Sequence, residues 1–345
     1  MTPSVSAELV NGSFGDPGLY LDFRHLKRAL LFDLGDIGAL PPRKILRLTD
    51  VFVTHAHMDH FGGFDRLVRV CLGRGPALRL YGPPGFVERV GHKLAAYSWN
   101  LVERYPGDFA LLAHELSPEG GVRRVRYRSR ASFVAEPLPD ARAEDGVLLD
   151  EPAFRVRAAF LDHGIPCLGF AFEEKAHVNV WKNRLAEMGL AVGPWLKGLK
   201  QAIAAGAPDD TPVRARWDER DGKHERDVPL GELKSRALEL VPGQKLCYVT
   251  DVLYHAENEA RIARLAAGAD ILFIESVFLS SEAEHAARKM HLTAEQAGRI
   301  ARAAGAKAVV PFHFSPRYLG REAELVAELE RARGASLAAQ SSGQS

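Results

Sequence analysis

No CxxC pair occurs in this sequence, and its only three cysteines, Cys71, Cys167 and Cys247, lie far apart. That spacing argues against a disulfide framework and suits a reducing compartment. Net charge is almost absent as well: 45 Lys and Arg against 44 Asp and Glu leave +1. The whole molecule is therefore no electrostatic magnet for polyanions, and any contact with nucleic acid must come from local patches. No run approaches the roughly 18 apolar residues of a membrane span. The opening MTPSVSAELVNGSFGDPG lacks the basic and apolar parts of a secretory leader. Together these absences point to a soluble cytoplasmic protein with no membrane partner.

What is present is apolar material, 46% of 345 residues, enough for a large buried core in one big domain or two small ones. Short runs rich in Val, Ile, Leu and Phe recur: ALLFDLG (29–35), DVFVTH (50–55), ALRLYGP (77–83), FRVRAAFLDH (154–163), KLCYVTDV (245–252), ADILFIES (269–276) and AKAVVPFHFS (306–315). They read as buried strands. Helical patterns lie between several of them, at 85–105, 258–268 and 293–305. In the last, Thr293 and Gln296 have capping-box spacing and Gly305 supplies a stop. Alternating strand and helix means an α/β domain, taken here as residues 1–335. Residues 106–153 read as strands and turns. An insertion at about 175–244 reads as two helices followed by a charged, irregular stretch, APDDTPVRARWDERDGKHERD. The tail, 336–345, reads as disordered.

The densest chemistry lies in VFVTHAHMDHFGGFDR, residues 51–66. His55 and His57 are two apart, and Asp59 and His60 follow where the chain turns. This falls at the end of an apolar run, where open α/β sheets place their sites. Imidazoles and a carboxylate converging there suit two metal ions, zinc among the candidates, and Gly62 and Gly63 let the backbone pass close. Four residues cannot complete two coordination spheres. Three further apolar runs end in His163, Asp251 and His313, and these make a set of seven.

HAHMDH with His163, Asp251 and His313 resembles the metallo-β-lactamase superfamily over about residues 29–320. That resemblance implies a four-layer αβ/βα sandwich. It implies that His55, His57 and His163 bind one ion, that Asp59, His60 and His313 bind the other, and that Asp251 bridges them. Asp33 in FDLG matches an aspartate that braces the histidine loop. Finer motifs are similar to the ribonuclease Z family, which trims the 3′ end of precursor tRNA. HFSPRY (313–318) resembles its last motif, HLTAEQA its HST motif, and the IES around Glu275 its HEAT. GLAVGP (189–194) resembles its tRNA-gripping arm. DLGD stands where that family has DCGEG. The resemblance implies two zinc ions (manganese or iron in their place), a homodimer, and a shared hydroxide that attacks phosphorus. Asp59 would orient that hydroxide. His291, oriented by Glu275, would protonate the leaving 3′ oxygen. A competing role for His291 is to flank the capped helix at Thr293.

Two patches are candidates for RNA. From 175 to 200, Lys175, Lys182, Arg184, Lys197 and Lys200 outnumber Glu187, with Trp181 and Trp195 as aromatic faces. In RRVRYRSR (123–130), a strand would align Arg124, Arg126, Arg128 and Arg130 on one face. The competing role there is a solvated strand paired to acidic neighbours. Ser315 and Arg317 in HFSPRY are candidates to hold a phosphate, and Arg317 has an alternative as an ion pair bracing its loop. The alternative function is another two-metal hydrolase of the same fold, acting on small or cyclic nucleotides, thioesters or lactones. An inactive binding protein is disfavoured, because no ligand of the set is missing.

Overall fold

A strand that is apolar on both faces needs cover on both, and the arrangement of this chain follows from that need. The computed structural model describes residues 4–334 except 25, 75, 76, 176, 220, 221 and 242. The tail at 336–345 and His25 lie outside the described residues. The chain divides into two compact units: one runs to Glu173 and resumes at Gln244, and the other is Glu174–Gly243.

The larger unit begins with strands β1 (Val5–Leu9), β2 (Leu19–Phe23), β3 (Ala29–Phe32), β4 (Leu48–Phe52), β5 (Leu78–Gly82), β6 (Ala110–Leu116), β7 (Gly121–Arg128) and β8 (Ala135–Arg142). They form one eight-stranded sheet in chain order. Pairing is parallel from β3 through β6 and antiparallel on either side. Next come β9 (Val147–Asp150), β10 (Phe154–Asp162) and β11 (Pro166–Glu174). The smaller unit contributes β12 (His177–Val180), β13 (Pro212–Glu219), β14 (Gly222–Pro229) and β15 (Leu238–Val241). The larger resumes with β16 (Lys245–Val249), β17 (Ile271–Glu275) and β18 (Ala308–Phe312). Its second sheet has the order β18-β17-β16-β11-β10-β9, with β16, β17 and β18 parallel.

The two sheets of the larger unit pack face to face. Phe32, Phe52 and Tyr81 from the first meet Phe170, Phe172, Tyr248 and Phe312 from the second in one buried cluster. Each such ring is worth about 1.5–3 kcal/mol of burial. The outer face of the first sheet is covered by helices Phe64–Cys71 and Phe86–Ala95, and that of the second by Ala256–Leu265, Ala294–Ala303 and Glu322–Gly334. This is the four-layer αβ/βα sandwich. Among the described residues no helix is long and apolar enough to cross a membrane.

All seven apolar runs contain strands, and the capping box at Thr293 and Gln296 is formed. Two details differ. The helix expected over 85–105 stops at Ala95, because the Trp99 indole N–H takes the Leu94 carbonyl at 2.8 Å. β1 and β2 precede the first run that reads as a strand.

The insertion is not simply helical, and this corrects the sequence reading. Helices Lys182–Glu187 and Trp195–Ala204 are accompanied by the β12–β15 pair and a β13–β14 hairpin. The stretch read as irregular is that hairpin. Val213 and Ala215 point into the unit's own apolar core while Arg214 and Arg216 point out, a period of two that the density of charge obscures.

Candidate metal centre

Parallel strands deliver their C-terminal ends to the same edge, and β4, β16, β17 and β18 each carry polar residues there. Beyond β4, Thr54 and His55 are fully buried and His57 immediately precedes the short helix Met58–Phe61, which holds Asp59 and His60. β16 is followed by Asp251, β17 ends in Glu275, and β18 is followed by His313. His163 follows β10. Asp33, Asp251 and His313 all adopt left-handed backbone, with φ of 59°, 53° and 59°. Non-glycine residues rarely do this, and such outliers cluster where the surroundings over-determine a functional geometry.

Glycine is required where the histidine loop meets the FDLG turn. A Cβ on Gly63 would fall 2.2 Å from the Gly35 carbonyl oxygen, and one on Gly35 would fall 2.3 Å from that of Asp59. Gly63 thus serves contact between two backbone segments rather than close approach to the cluster itself.

The seven residues converge. Candidate ligand atoms of His55, His57, His163 and Asp251 lie within 4.8 Å of one another, as do those of Asp59, His60 and His313. Asp251 lies between the sets: Oδ2 is 3.6 Å from His55 Nε2, 3.4 Å from His163 Nε2 and 3.4 Å from His60 Nε2, while Oδ1 is 3.0 Å from His313 Nδ1. His60 Nε2 and His313 Nδ1 are buried and have no hydrogen-bond partner. A buried nitrogen without a partner calls for an explanation, and a divalent cation would supply one. Imidazole and carboxylate are also suitable donors for such an ion. On these grounds the residues present fit a metal pair.

Behind the ligands stands Asp33. It accepts from the Thr54 amide at 2.7 Å, from the Thr54 hydroxyl at 2.9 and 3.0 Å, from His60 Nδ1 at 2.8 Å and from the Tyr248 hydroxyl at 3.0 Å. His163 Nδ1 is held by the Met290 carbonyl at 2.9 Å. The sequence reading found Asp33 but not Thr54, Tyr248 or Met290. For Thr54 the available signal was its place directly before HAHMDH.

The field within this pocket is uneven. Burial, abetted by the neighbouring His60, pushes His55 down to about 2, so it carries a single proton. Burial works against charge on His60 and His313 too, but facing carboxylates, Asp251 foremost, outweigh it and hold both well above the usual imidazole range. Burial would raise Asp59; the facing imidazoles of His313 and His60 reverse this and hold it well below the usual carboxylate range.

A second pair adjoins the cluster. His291 Nδ1 lies 2.8 Å from Glu275 Oε2, and the His291 ring centroid is 5.2 Å from that of His163 and 5.5 Å from that of His313. Glu275 Oε1 accepts from the amides of Val252 and Leu292. Burial opposes charge on both partners, yet their mutual attraction raises His291 and brings Glu275 down to about 2.

The candidate phosphate contacts are engaged elsewhere. Arg126 and Arg128 share Glu136, Arg128 also reaches Asp108, and Arg124 donates to the Pro139 carbonyl. Arg130 lies past the end of β7, in the turn Ser129–Ala131, so it does not continue the arginine face. Arg317 pairs with Glu282 and lies over the Phe278 ring, and the Ser315 amide donates to the Val277 carbonyl. In the smaller unit Lys197 and Lys200 are exposed on one side of their helix. Trp195, expected to offer an aromatic face, is buried in that unit's core with its indole N–H on the Ala191 carbonyl.

Family models agree with this geometry: residues 16–128 match the metallo-beta-lactamase superfamily, and residues 211–314 match the beta-lactamase superfamily domain. Among solved structures, human tRNase Z, short form, superposes with a TM-score of 0.52 at 19% identity, covering 92% of both chains. The metallo-beta-lactamase fold protein YhfI from Bacillus subtilis does so with 0.52 at 15%, covering 94% of this chain and 92% of that one. Both are likenesses of fold. Ribonuclease Z of Lactobacillus helveticus is 28% identical over 84% of this chain and 79% of its own. Ribonuclease Z of Deinococcus radiodurans is 33% identical over 86% of this chain and 84% of its own. With that identity over nearly the full length of both sequences, the chain belongs to the ribonuclease Z family of metal-dependent hydrolases.

Proposed function

We propose that this enzyme is the endoribonuclease that removes the 3′ trailer from precursor tRNA, with two zinc ions as its metals. The observation that carries the reading is the His291–Glu275 pair, 2.8 Å apart and directly beside the candidate ligands. A departing ribose 3′ oxygen needs a proton, whereas the thiolate that leaves a thioester does not. The likeness to named ribonucleases Z supports the choice of substrate.

In this reading His55, His57, His163 and Asp251 hold one cation, and Asp59, His60, His313 and Asp251 the other. When bound, such a pair supplies Lewis acidity, lowering the pKa of water and offsetting charge on the scissile phosphate. Asp59 stays ionised, so it accepts a hydrogen bond from the attacking water and fixes its direction. Glu275 outweighs the effect of burial and raises His291 above the usual imidazole range, which favours its protonated form. With Nδ1–H on Glu275, its Nε2–H is free to move to the leaving 3′ oxygen, and the imidazole left behind is stabilised by the same carboxylate. Glu275 keeps its charge because two backbone amides and His291 hold it.

Lys197 and Lys200 in the unit Glu174–Gly243 are assigned to the RNA backbone, as is Ser315 near the scissile phosphate, and Arg317 once it gives up its pairing with Glu282. Arg124, Arg126 and Arg128 would reach phosphates only by exchanging their present partners. A homodimer and a cytoplasmic location belong to the same proposal. The test is a labelled tRNA precursor with a 3′ trailer, incubated with purified protein with and without chelator. One discrete chelator-sensitive product ending near the discriminator nucleotide is expected; a ladder of products, or none, would overturn the reading.

A further inference from the structure

The Thr54 hydroxyl is fully buried and contacts more groups than a bystander would. Its oxygen lies 2.9 and 3.0 Å from the two oxygens of Asp33, 3.0 Å from His55 Nδ1 and 3.3 Å from His60 Nδ1. A threonine hydroxyl has one proton to donate and two lone pairs to accept with. Asp33 receives four donors and so acts only as an acceptor; the single Thr54 proton therefore goes to it. With that proton committed, the 3.0 Å contact to His55 is a hydrogen bond only if the imidazole donates. The other neighbour of His55 Nδ1, Cys167 Sγ, is 3.9 Å away and lies 3.6 Å from the Thr250 carbonyl, to which its thiol donates. At the far side of the ring, His55 Nε2 lies 2.8 Å from His57 Nδ1, as expected of an acceptor nitrogen.

We infer that Thr54 is a positioning residue: its hydroxyl relays the Asp33 carboxylate to His55, fixing the Nδ1–H tautomer and turning the Nε2 lone pair toward the set formed with His57, His163 and Asp251. The same carboxylate fixes His60 directly through Nδ1 at 2.8 Å. One buried acid thereby orients one imidazole in each half of the centre, one through the hydroxyl and one without it. This rests on the reading of the cluster as a metal centre.

Two measurements test it. In the metal-free wild-type protein, nitrogen NMR of the histidine rings should show His55 protonated at Nδ1; protonation at Nε2 overturns the inference without any variant. Thr54→Val keeps the side-chain shape and the amide bond to Asp33 but removes the relay. Titration with Zn2+ against a competing chelator should show the affinity of one of the two equivalents falling about 10–100-fold. Thr54→Ser, which restores a hydroxyl, should recover most of it, a rescue that mere packing would not predict. Wild-type affinity in Thr54→Val, or no rescue by serine, overturns the inference. If Thr54→Val does not fold, the ring NMR and the serine variant still decide. A wild-type protein that binds neither Zn2+ nor Mn2+ would sink the proposed function instead, and the tautomer measurement would stand apart from it.

Discussion

Two regions of this protein concentrate charge, and they differ in what their charges are doing. Along β7 and β8 the guanidiniums are exposed and satisfied: Arg126 and Arg128 share Glu136, and Asp108 closes the ladder. At the strand ends around Asp251 the groups are buried and crowded, with His60 Nε2 and His313 Nδ1 facing Asp251 at 3.4 and 3.0 Å without a well-directed hydrogen bond. Both stretches look equally dense in the sequence. Density of charge along the sequence therefore does not mark a site; imidazoles and carboxylates whose ligand atoms crowd within 4.8 Å of one another do.

The comparison can be pressed hardest at Asp251, which touches both halves of the cluster. Asp251→Asn suits the left-handed backbone at this position. It should lower cleavage of the tRNA precursor by about 10³-fold or more and reduce bound metal measured by atomic absorption. Full activity with one equivalent of metal would remove the bridging role.

His291→Ala comes next, with a loss of about 10²–10⁴-fold in turnover and metal content near wild type. Equal loss of both would make His291 part of the scaffold. A third effect is graded by pH. Because His60 and His313 are held well above the usual range, a cation must displace about one proton from each. Apparent affinity should therefore weaken as pH falls and strengthen as it rises through those raised values. Calorimetry in buffers of different ionisation heat should register the released protons.

The smallest effect is expected from the satisfied region. Arg126→Gln combined with Arg128→Gln should leave cleavage within about twofold and the denaturation midpoint little changed, as for most exposed ion pairs. If the logarithm of RNA affinity instead lost about two units of its slope against the logarithm of salt, those arginines would be phosphate contacts and the contrast would fail.

Much of this was legible in the residues themselves. Buried strands announce themselves as apolar runs, and their ends carry the polar groups, so His55, His57, Asp59, His60, His163, Asp251 and His313 could be picked before their convergence was visible. Asp33 and the Glu275–His291 pair came from family likeness rather than from spacing. What escaped depends on cross-strand or through-space partners. Glu136 meets Arg126 across the β7–β8 pairing, a register no local pattern discloses. The β13–β14 hairpin was hidden because its outward face is almost wholly charged. Trp195 turned inward because its helix needed an apolar stripe to cover the smaller unit's own core.

The neighbours across the Glu174–Gly243 boundary have one more implication. Glu173 and Lys245 stand opposite each other as register partners on β11 and β16, so everything between them leaves and re-enters the sheet at a single rung. In design terms the module is plugged into a hairpin tip. The length of this segment can change there without re-threading a strand of the sheet.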